Sequence, residues 1–165
     1  MKLIILLILI FLMSGCNNSA ESDDYLSAGK ATVKIDNRYF SGSAEVFSKI
    51  LTDHRYEVIQ LELPDSISIE ILADEFQTVR YKWNSHVPGP GIGPAIIFML
   101  KYNFYGGTLY NPVSGVLHIQ EITTGQINGT FDLKVHDAAA SSFNSGTFKY
   151  IEGKFRALGE VLLVQ

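Results

Sequence analysis

Apolar and polar residues alternate along most of the chain after residue 30, with a period of two residues. In the clearest example, residues 130–136, polar side chains separate Phe131, Leu133 and Val135. Successive side chains of a β-strand point to opposite faces, so this alternation predicts strands with one face on a core and the other in water. Similar strands are expected at 58–63, 67–71 and 79–83, and further ones at 31–36, 38–51, 95–105, 115–122 and 147–157.

Residues that favour tight turns separate these strands. Examples are Asp36-Asn37, Pro64-Asp65 and Asn128-Gly129. No segment shows the 3.6-residue period of a convincing amphipathic helix. About nine short strands without helical crossovers predict an all-β domain, for which we favour an antiparallel β-sandwich. An up-and-down, lipocalin-like barrel is the alternative, because it also buries one face of each strand.

One strand departs from this alternation. Residues 96–100 read Ile-Ile-Phe-Met-Leu, and the tyrosines Tyr102 and Tyr105 follow. Such a run is typical of a strand that is buried on both faces, which is the favoured interpretation. The functional alternative is a hydrophobic cleft or partner surface, with Tyr102 and Tyr105 as candidate binding residues.

The first 15 residues do not belong to the domain pattern. Lys2 precedes an uninterrupted apolar run of 11 residues from Leu3 to Met13. That run is too short to span a bilayer core of about 30 Å, but it has the length of a signal-peptide core. The small residues Ser14 and Gly15 then precede Cys16, which is the only cysteine of the chain.

The segment Met13-Ser14-Gly15-Cys16 resembles the lipobox of bacterial lipoproteins, with Met13 where Leu is more usual. The resemblance implies cleavage before Cys16, a diacylglycerol on its thiol and acylation of the new amino group. Several acyl chains, at about 0.8 kcal/mol per buried CH₂, make a durable anchor. The other interpretations are a cleaved signal peptide with an incidental cysteine and an uncleaved anchor helix.

Residues 16–29 are polar and acidic, and they predict a flexible tether before a domain at 30–165. Asn17 follows the cysteine, so nothing resembles the common inner-membrane retention signal. Glu21, Asp23 and Asp24 resemble the acidic stretch that directs some Bacteroidota lipoproteins to the cell surface, although a merely soluble linker fits equally well. We therefore expect a lipid-anchored protein of the cell envelope, in the outer membrane, on its surface or its periplasmic face.

Charge and local motifs exclude several kinds of chemistry. The chain has 13 Lys and Arg against 17 Asp and Glu, a net charge of −4, and no basic run, so a nucleic-acid partner is not expected. No two of the four histidines have metal-ligand spacing, and no Gly-x-Ser-x-Gly elbow is present. His136 falls on the polar face of its strand and is expected in water. We expect no enzymatic activity, no metal and no cofactor.

A proline- and glycine-rich loop at 88–94 is the first candidate binding site. Its three prolines restrict the backbone, so little entropy is lost on binding. Trp83, His86 and Ile92 are therefore candidate contacts for a glycan, a lipid or an envelope protein. The simpler interpretation is a plain connection, with Trp83 in the core because it shares a strand face with Val79 and Tyr81.

Part of the C-terminal half resembles a known family. The segments Ser114-Gly115, Ile127-Asn128-Gly129-Thr130-Phe131 and Gly153-Lys154-Phe155 are similar to the pattern of a domain-of-unknown-function family of small Bacteroidota lipoproteins. Residues 31–44 loosely resemble the family's opening hairpin, with Phe40 where Trp is commoner. The match covers about half of the mature chain and implies a β-rich lipoprotein domain without known catalytic residues.

These observations lead to three competing hypotheses for the function. The leading hypothesis is a membrane-anchored, noncatalytic binding domain. The alternative is an inhibitor or immunity-type lipoprotein that blocks a secreted enzyme, and a hydrolase is third. A flat aromatic strip would favour sugars, a continuous apolar cavity a small apolar ligand, and an acidic protruding loop enzyme inhibition.

Cys16→Ser removes the thiol that the anchor requires. We expect this variant to be released from membranes or to accumulate as an unprocessed precursor, whereas the wild type is cleaved between Gly15 and Cys16 and carries lipid on the thiol. Intact-mass measurement of both proteins checks this, and a wild-type mass without cleavage or with an unmodified cysteine would contradict it.

Overall fold

A computed structural model describes residues 26–84, 96–102, 107–140 and 148–159 of the chain. Within these ranges the chain forms strands and turns, and none of the residues described forms a helix long and apolar enough to cross a membrane. The strands are β1 Lys30–Ile35, β2 Arg38–Leu51, β3 His54–Leu63, β4 Ile67–Ala73, β5 Arg80–Asn84, β6 Ile96–Tyr102, β7 Leu109–Thr123, β8 Gln126–Asp137 and β9 Phe148–Gly159. The prediction of an all-β domain with about nine strands is confirmed.

Eight of the nine strands close into a barrel. The order around the ring is β1-β2-β3-β4-β6-β7-β8-β9, and β9 pairs with β1 to complete it. All pairings in this ring order are antiparallel. Where β1 has not yet begun, β2 and β9 also make a short parallel contact at Glu45 and Val46. The architecture is thus the barrel that the sequence offered as the alternative, and not the favoured sandwich. Alternation alone could not separate the two, because both bury every second side chain.

β5 is the strand outside the ring. β5 and β6 pair with different parts of the same edge of β7. β6 pairs with β7 only at Leu109 and Tyr110, whereas β5 pairs with β7 from Ser114 to His118. Between these two regions lie Pro112 and a register shift between Pro112 and Ser114. Because proline has no backbone N–H to donate, pairing is interrupted there and the edge changes partner.

Aromatic side chains fill the barrel interior. The ring centroids of Trp83 and Phe98 are 6.5 Å apart, those of Phe98 and Phe131 are 5.6 Å apart, and those of Phe131 and Phe155 are 6.4 Å apart. The first two contacts are edge-to-face, which is a preferred arrangement for aromatic pairs. All four rings belong to one buried cluster with the aliphatic residues of the other strands. The interior is therefore a packed core.

Two glycines make room for the last two of these rings. Gly129 lies opposite Phe155 on the neighbouring strand, and Gly153 lies opposite Phe131. A Cβ atom on Gly129 would lie 2.5 Å from the Phe155 ring, and one on Gly153 would lie 2.6 Å from the Phe131 ring. Each ring therefore lies directly over the opposite glycine backbone. We call this arrangement the reciprocal Gly–Phe pair.

The predicted strand faces agree with the structure in β8 but not throughout β6. Phe131, Leu133 and Val135 are buried, as expected, while the residues between them face outward. In β6, Ile96, Phe98 and Leu100 are buried, but Ile97 on the outer face is 45% exposed. The favoured prediction of burial on both faces is therefore wrong at Ile97, which lies on the outer wall of the barrel.

The barrel has two rims. The rim at which β1 begins carries the turns at 52–53 and 124–125, and we call it the N-terminal rim. Gly29 is fixed there, because its N–H donates to the carbonyl of Arg156 at 2.8 Å and its carbonyl accepts from the N–H of Ala44 at 2.9 Å. The turns at 36–37, 64–66 and 138–139 lie at the opposite rim.

Phe131→Ala tests this packing. Loss of the ring should lower the free energy of unfolding by about 3–5 kcal/mol, because Phe131 contacts two other rings and covers Gly153. The matched control is Tyr150→Ala, which removes a 61%-exposed ring from the adjacent strand and should cost no more than about 0.5 kcal/mol. Urea unfolding followed by the fluorescence of Trp83 measures both, and equally small losses would contradict the register.

Candidate functional site

A groove of about 550 Å³ lies on the outer wall of the barrel, across β5, β7, β8, β9, β1 and β2. Directly paired residues of neighbouring strands share a face, so cross-strand pairing assembles its lining. One row of paired residues is Arg80, His118, Thr130, Lys154 and Thr32. The next row is Val116, Asp132, Glu152, Lys34 and Tyr39. We call this the outer groove.

The outer groove presents groups of both charges beside hydroxyl groups. Lys34, Arg80 and Lys154 supply cationic donors, and Asp132 and Glu152 supply carboxylate acceptors. Thr32 and Thr130 add hydroxyl groups that both donate and accept. Such a mixed lining suits a ligand with many small hydrogen-bonding groups better than a ligand of one strong charge.

An ion pair and an aromatic ring form one wall of the groove. Lys34 Nζ lies 2.8 Å from Glu152 Oε1, and this hydrogen bond and the charge of Glu152 raise the pKa of Lys34. The same ammonium lies 5.6 Å from the ring centroid of Tyr39, which is 78% exposed. An exposed ring held beside an ion pair offers a ligand a flat apolar surface next to polar groups.

A second groove of about 550 Å³ shares Thr130 and Lys154 with the outer groove and continues toward the N-terminal rim. Its side chains form a chain of hydrogen bonds. Arg156 Nε donates to Gln126 Oε1 at 2.9 Å, and Gln126 Nε2 donates to Asn128 Oδ1 at 3.0 Å. Asn128 Nδ2 then donates to Glu121 Oε2 at 2.6 Å. These partners hold the amide groups in fixed orientations.

The structure places the predicted candidate binding residues in different environments, and some of them lie outside the described residues. Trp83 is 3% exposed and lies edge-on to Phe98 in the core, so the structure does not support a surface site built on its ring. The competing prediction for Trp83, a core position, agrees with this burial. His86, Ile92 and the 88–94 loop lie outside the described residues, as does Tyr105.

Tyr102 lies in a cluster at the opposite rim. Its ring is edge-to-face with Tyr110 at 5.8 Å, and Lys149 Nζ lies 5.3 Å from the Tyr102 centroid and 5.7 Å from that of Tyr110. Lys149 Nζ is also 3.5 Å from Asp36 Oδ2. Burial and then the negative charge of Asp36 raise the pKa of Tyr102 to about 12. Because Tyr102 and Tyr110 pack against the core, these contacts extend the packed interior toward the opposite rim.

The histidines lie in three different settings. His54 Nε2 is 2.7 Å from Asp74 Oδ1 in an exposed pair at the N-terminal rim. His118 lines the outer groove. His136 is 3% exposed and lies 4.9 Å from the Phe148 ring, so the expectation that it is solvated is wrong. Within the ranges described, no group of three His, Cys, Asp or Glu residues could hold a metal ion.

Sequence reasoning missed the outer groove and the contact of His54 with Asp74. The partners of Arg80 and Tyr39 come from distant strands, and only the pairing order of the barrel brings them to one wall. Asp74 is 20 residues from His54, so no local pattern indicates that the two side chains meet. The only available signal was that Arg80 occupies the polar face of its predicted strand, and there was none for the contact of His54 with Asp74.

Together these features define a closed eight-stranded β-barrel with a packed interior and a mixed polar groove on its outer wall. Comparison with known proteins finds no matching family model, no matching curated protein and no matching solved structure.

Tyr102→Phe removes the ionisable hydroxyl and keeps the ring. A tyrosine pKa that rises from 10 to about 12 on folding stabilises the protein fully below pH 10, and this contribution is lost as the pH rises to 12. Because the hydroxyl is only half-buried, we expect the wild type to lose about 1 kcal/mol more than Tyr102→Phe between pH 9 and 12.

Urea unfolding at several pH values, followed by circular dichroism, measures this difference. Tyr110, whose pKa is also raised by burial, titrates in both proteins, so the difference between them measures Tyr102 together with its coupling to Tyr110. Stability curves that run parallel up to pH 12 would show that Tyr102 does not contribute.

Proposed function

We propose that the chain is a lipid-anchored lipoprotein of the cell envelope, attached through Cys16, whose barrel binds a saccharide noncatalytically in the outer groove. The signal-peptide core and lipobox-like segment support the anchor. The observation that carries the binding proposal is the mixed lining of the outer groove, with an exposed tyrosine at its wall. Membership of the domain-of-unknown-function lipoprotein family is part of the same proposal.

The chemistry of the lining favours a saccharide over the other ligand classes. A sugar ring has hydroxyl groups that donate and accept at its edge, and C–H groups on its faces that pack on an aromatic ring. Thr32, Asp132 and Arg80 match the edge, and Tyr39 matches the face. A small apolar ligand would need an apolar cavity, and aromatic side chains occupy the barrel interior.

The dimensions of the groove favour an oligosaccharide over a single sugar. Six neighbouring strands line it, and a spacing of about 4.8 Å between strands gives a length of about 24 Å along the curved wall. The second groove extends it along the strands through Thr130 and Lys154. Several sugar residues of a polymer would therefore have contacts at the same time.

The lining is positioned before any ligand arrives. Its residues belong to strands that are paired on both sides in β7, β8, β9 and β1, and the ion pair of Lys34 with Glu152 orients one wall. Sites on strands are more rigid than sites on loops, so little entropy is lost on binding. This rigidity supports recognition by a preformed surface.

The inhibitor hypothesis is the alternative, and it would require an acidic protruding loop, for which the hairpin between β2 and β3 is the candidate. Its tip carries one acidic residue, Asp53, between Lys49 and Arg55. This tip is therefore not the acidic loop that the sequence argument associated with enzyme inhibition.

Binding of the detergent-solubilised full chain to an array of peptidoglycan fragments, lipopolysaccharide core oligosaccharides and neutral oligosaccharides tests the proposal. We expect binding to at least one class, weakened about tenfold or more by Tyr39→Ala and by Arg80→Ala, because both side chains line the groove. The matched control is Tyr150→Ala, since Tyr150 is exposed on the same wall but outside the groove lining.

Two results would contradict the saccharide assignment. One is the absence of binding to every class by the folded wild type. The other is an equal loss with Tyr39→Ala and Tyr150→Ala, which would place the site outside the groove. Inhibition of a secreted hydrolase by the same preparation would favour the alternative.

A further inference from the structure

The hairpin between β2 and β3 extends beyond the rest of the barrel at the N-terminal rim. On one side, β2 makes its last contact with β9 at Val46, and on the other, β3 makes its first contact with β4 at Glu57. Beyond these points, among the residues that the structure describes, β2 and β3 pair only with each other, for three residue pairs that end at Leu51 and His54. At about 3.4 Å per residue, the hairpin extends about 10 Å past these pairings, with the Asp74 side chain against His54. We call residues 49–55 the hairpin tip.

The hairpin tip exposes apolar side chains that the fold does not need. Ile50 is 72% exposed and Leu51 is 38% exposed, and neither belongs to the buried core cluster. Exposed apolar residues that cluster on a projecting element indicate a surface that contacts something apolar. Polar residues at positions 50 and 51 would allow the hairpin to form equally well.

The turn of this hairpin has two non-glycine residues at positive φ, as the turn at Asp65 and Ser66 of the opposite rim also does, but here one of them is β-branched. Thr52 and Asp53 both have positive φ angles, of 49° and 66°. A two-residue turn with both residues in this region is the tight type that favours Asn and Gly, and a β-branched threonine is strained there. Strained backbone is retained mainly where a local shape is used, and here it places Ile50 and Leu51 at the end of a narrow projection.

The length of the tether and the place where it joins the barrel indicate which surface the hairpin tip faces. The described chain begins at Leu26, whose carbonyl lies 3.5 Å from Arg156 Nη1 at the N-terminal rim. Ten Cα–Cα steps separate Leu26 from Cys16, so a fully extended tether reaches at most about 36 Å. A lipid on Cys16 therefore keeps the rim that carries the hairpin tip close to the membrane.

We infer that the hairpin tip inserts Ile50 and Leu51 into the headgroup region of the membrane that holds the lipid anchor, an inference that rests on the proposed anchoring at Cys16. Two apolar side chains alone bind a membrane weakly. The anchor makes this contact intramolecular, and the local concentration of membrane is then high enough for a weak contact to form. The charges around the tip, Lys49 and Arg55 against Asp53 and Asp74, balance, so an anionic lipid is not required.

Site-specific fluorescence of the full lipidated protein in phosphatidylcholine vesicles tests the inference. Ile50→Cys introduces a free thiol at the tip, and Ala139→Cys introduces one at an exposed turn of the opposite rim as the matched control. With a polarity-sensitive fluorophore on each thiol, we expect quenching by nitroxide lipids at least twofold stronger at position 50. Equal quenching at the two positions overturns the inference.

A label-free measurement excludes insertion driven by the fluorophore. Trypsin cleaves after Lys49 and Arg55 in the tip, and we expect cleavage there at least fivefold slower in vesicles than in detergent. Ile50→Ser/Leu51→Ser, confirmed as folded by circular dichroism, should lose this protection. Protection that persists in the double variant overturns the inference.

Vesicle flotation separates failure of the anchor from failure of the tip contact. A wild type that does not float with vesicles overturns both the proposed anchor and the tip contact. A wild type that floats with an unprotected tip overturns the tip contact alone. Protection that requires native envelope vesicles and is absent in pure phosphatidylcholine identifies a protein partner and overturns the lipid surface as occupant.

Discussion

The reciprocal packing of two phenylalanine rings over two glycines organises this barrel. Phe131 covers Gly153 and Phe155 covers Gly129, and a side chain at either glycine would collide with the ring opposite. The arrangement fixes the register of β8 and β9, because a slip of one residue would place a ring against a side chain and turn the core face to water. It also directs the rings toward Phe98 and hence Trp83, so that aromatic side chains span the interior. The residues between the paired positions must then face outward, and Thr130, Asp132 and Lys154 of the outer groove are among them.

The relation between interior and outer wall explains where a ligand site is expected. Barrels of eight strands have room either for a small ligand or for their own side chains. In this barrel, its own side chains, including four aromatic rings, fill the interior. Under the proposed function, recognition would then depend on the outer wall, where six strands place charged, hydroxyl and aromatic side chains in two adjacent rows. A rigid core and a preformed outer surface are two results of the same strand register.

Sequence reasoning could predict the features that depend on residues close in the sequence. It could not predict the features that depend on how the sheet closes. Alternation identified the buried face of β8 and the approximate number of strands, since both follow from a local period of two. It could not distinguish a barrel from a sandwich, and it could not bring Arg80 and Tyr39 to one wall, because that requires the pairing order. His136 illustrates the same limit, for it occupies a polar-face position but the Phe148 ring lies against it. Burial on an outer wall depends on the neighbouring strand, which the local pattern does not contain.

The short first strand has a mechanical consequence. β1 is hydrogen-bonded on one edge to β2 and on the other to β9, and Gly29 precedes it directly. Thr32 and Lys34 of the outer groove belong to this same strand. Tension between a membrane anchor and a polymer held in the groove would therefore pull β1 along its own axis. Both of its hydrogen-bonded edges would then be sheared together, which resists force better than opening a single edge one bond at a time.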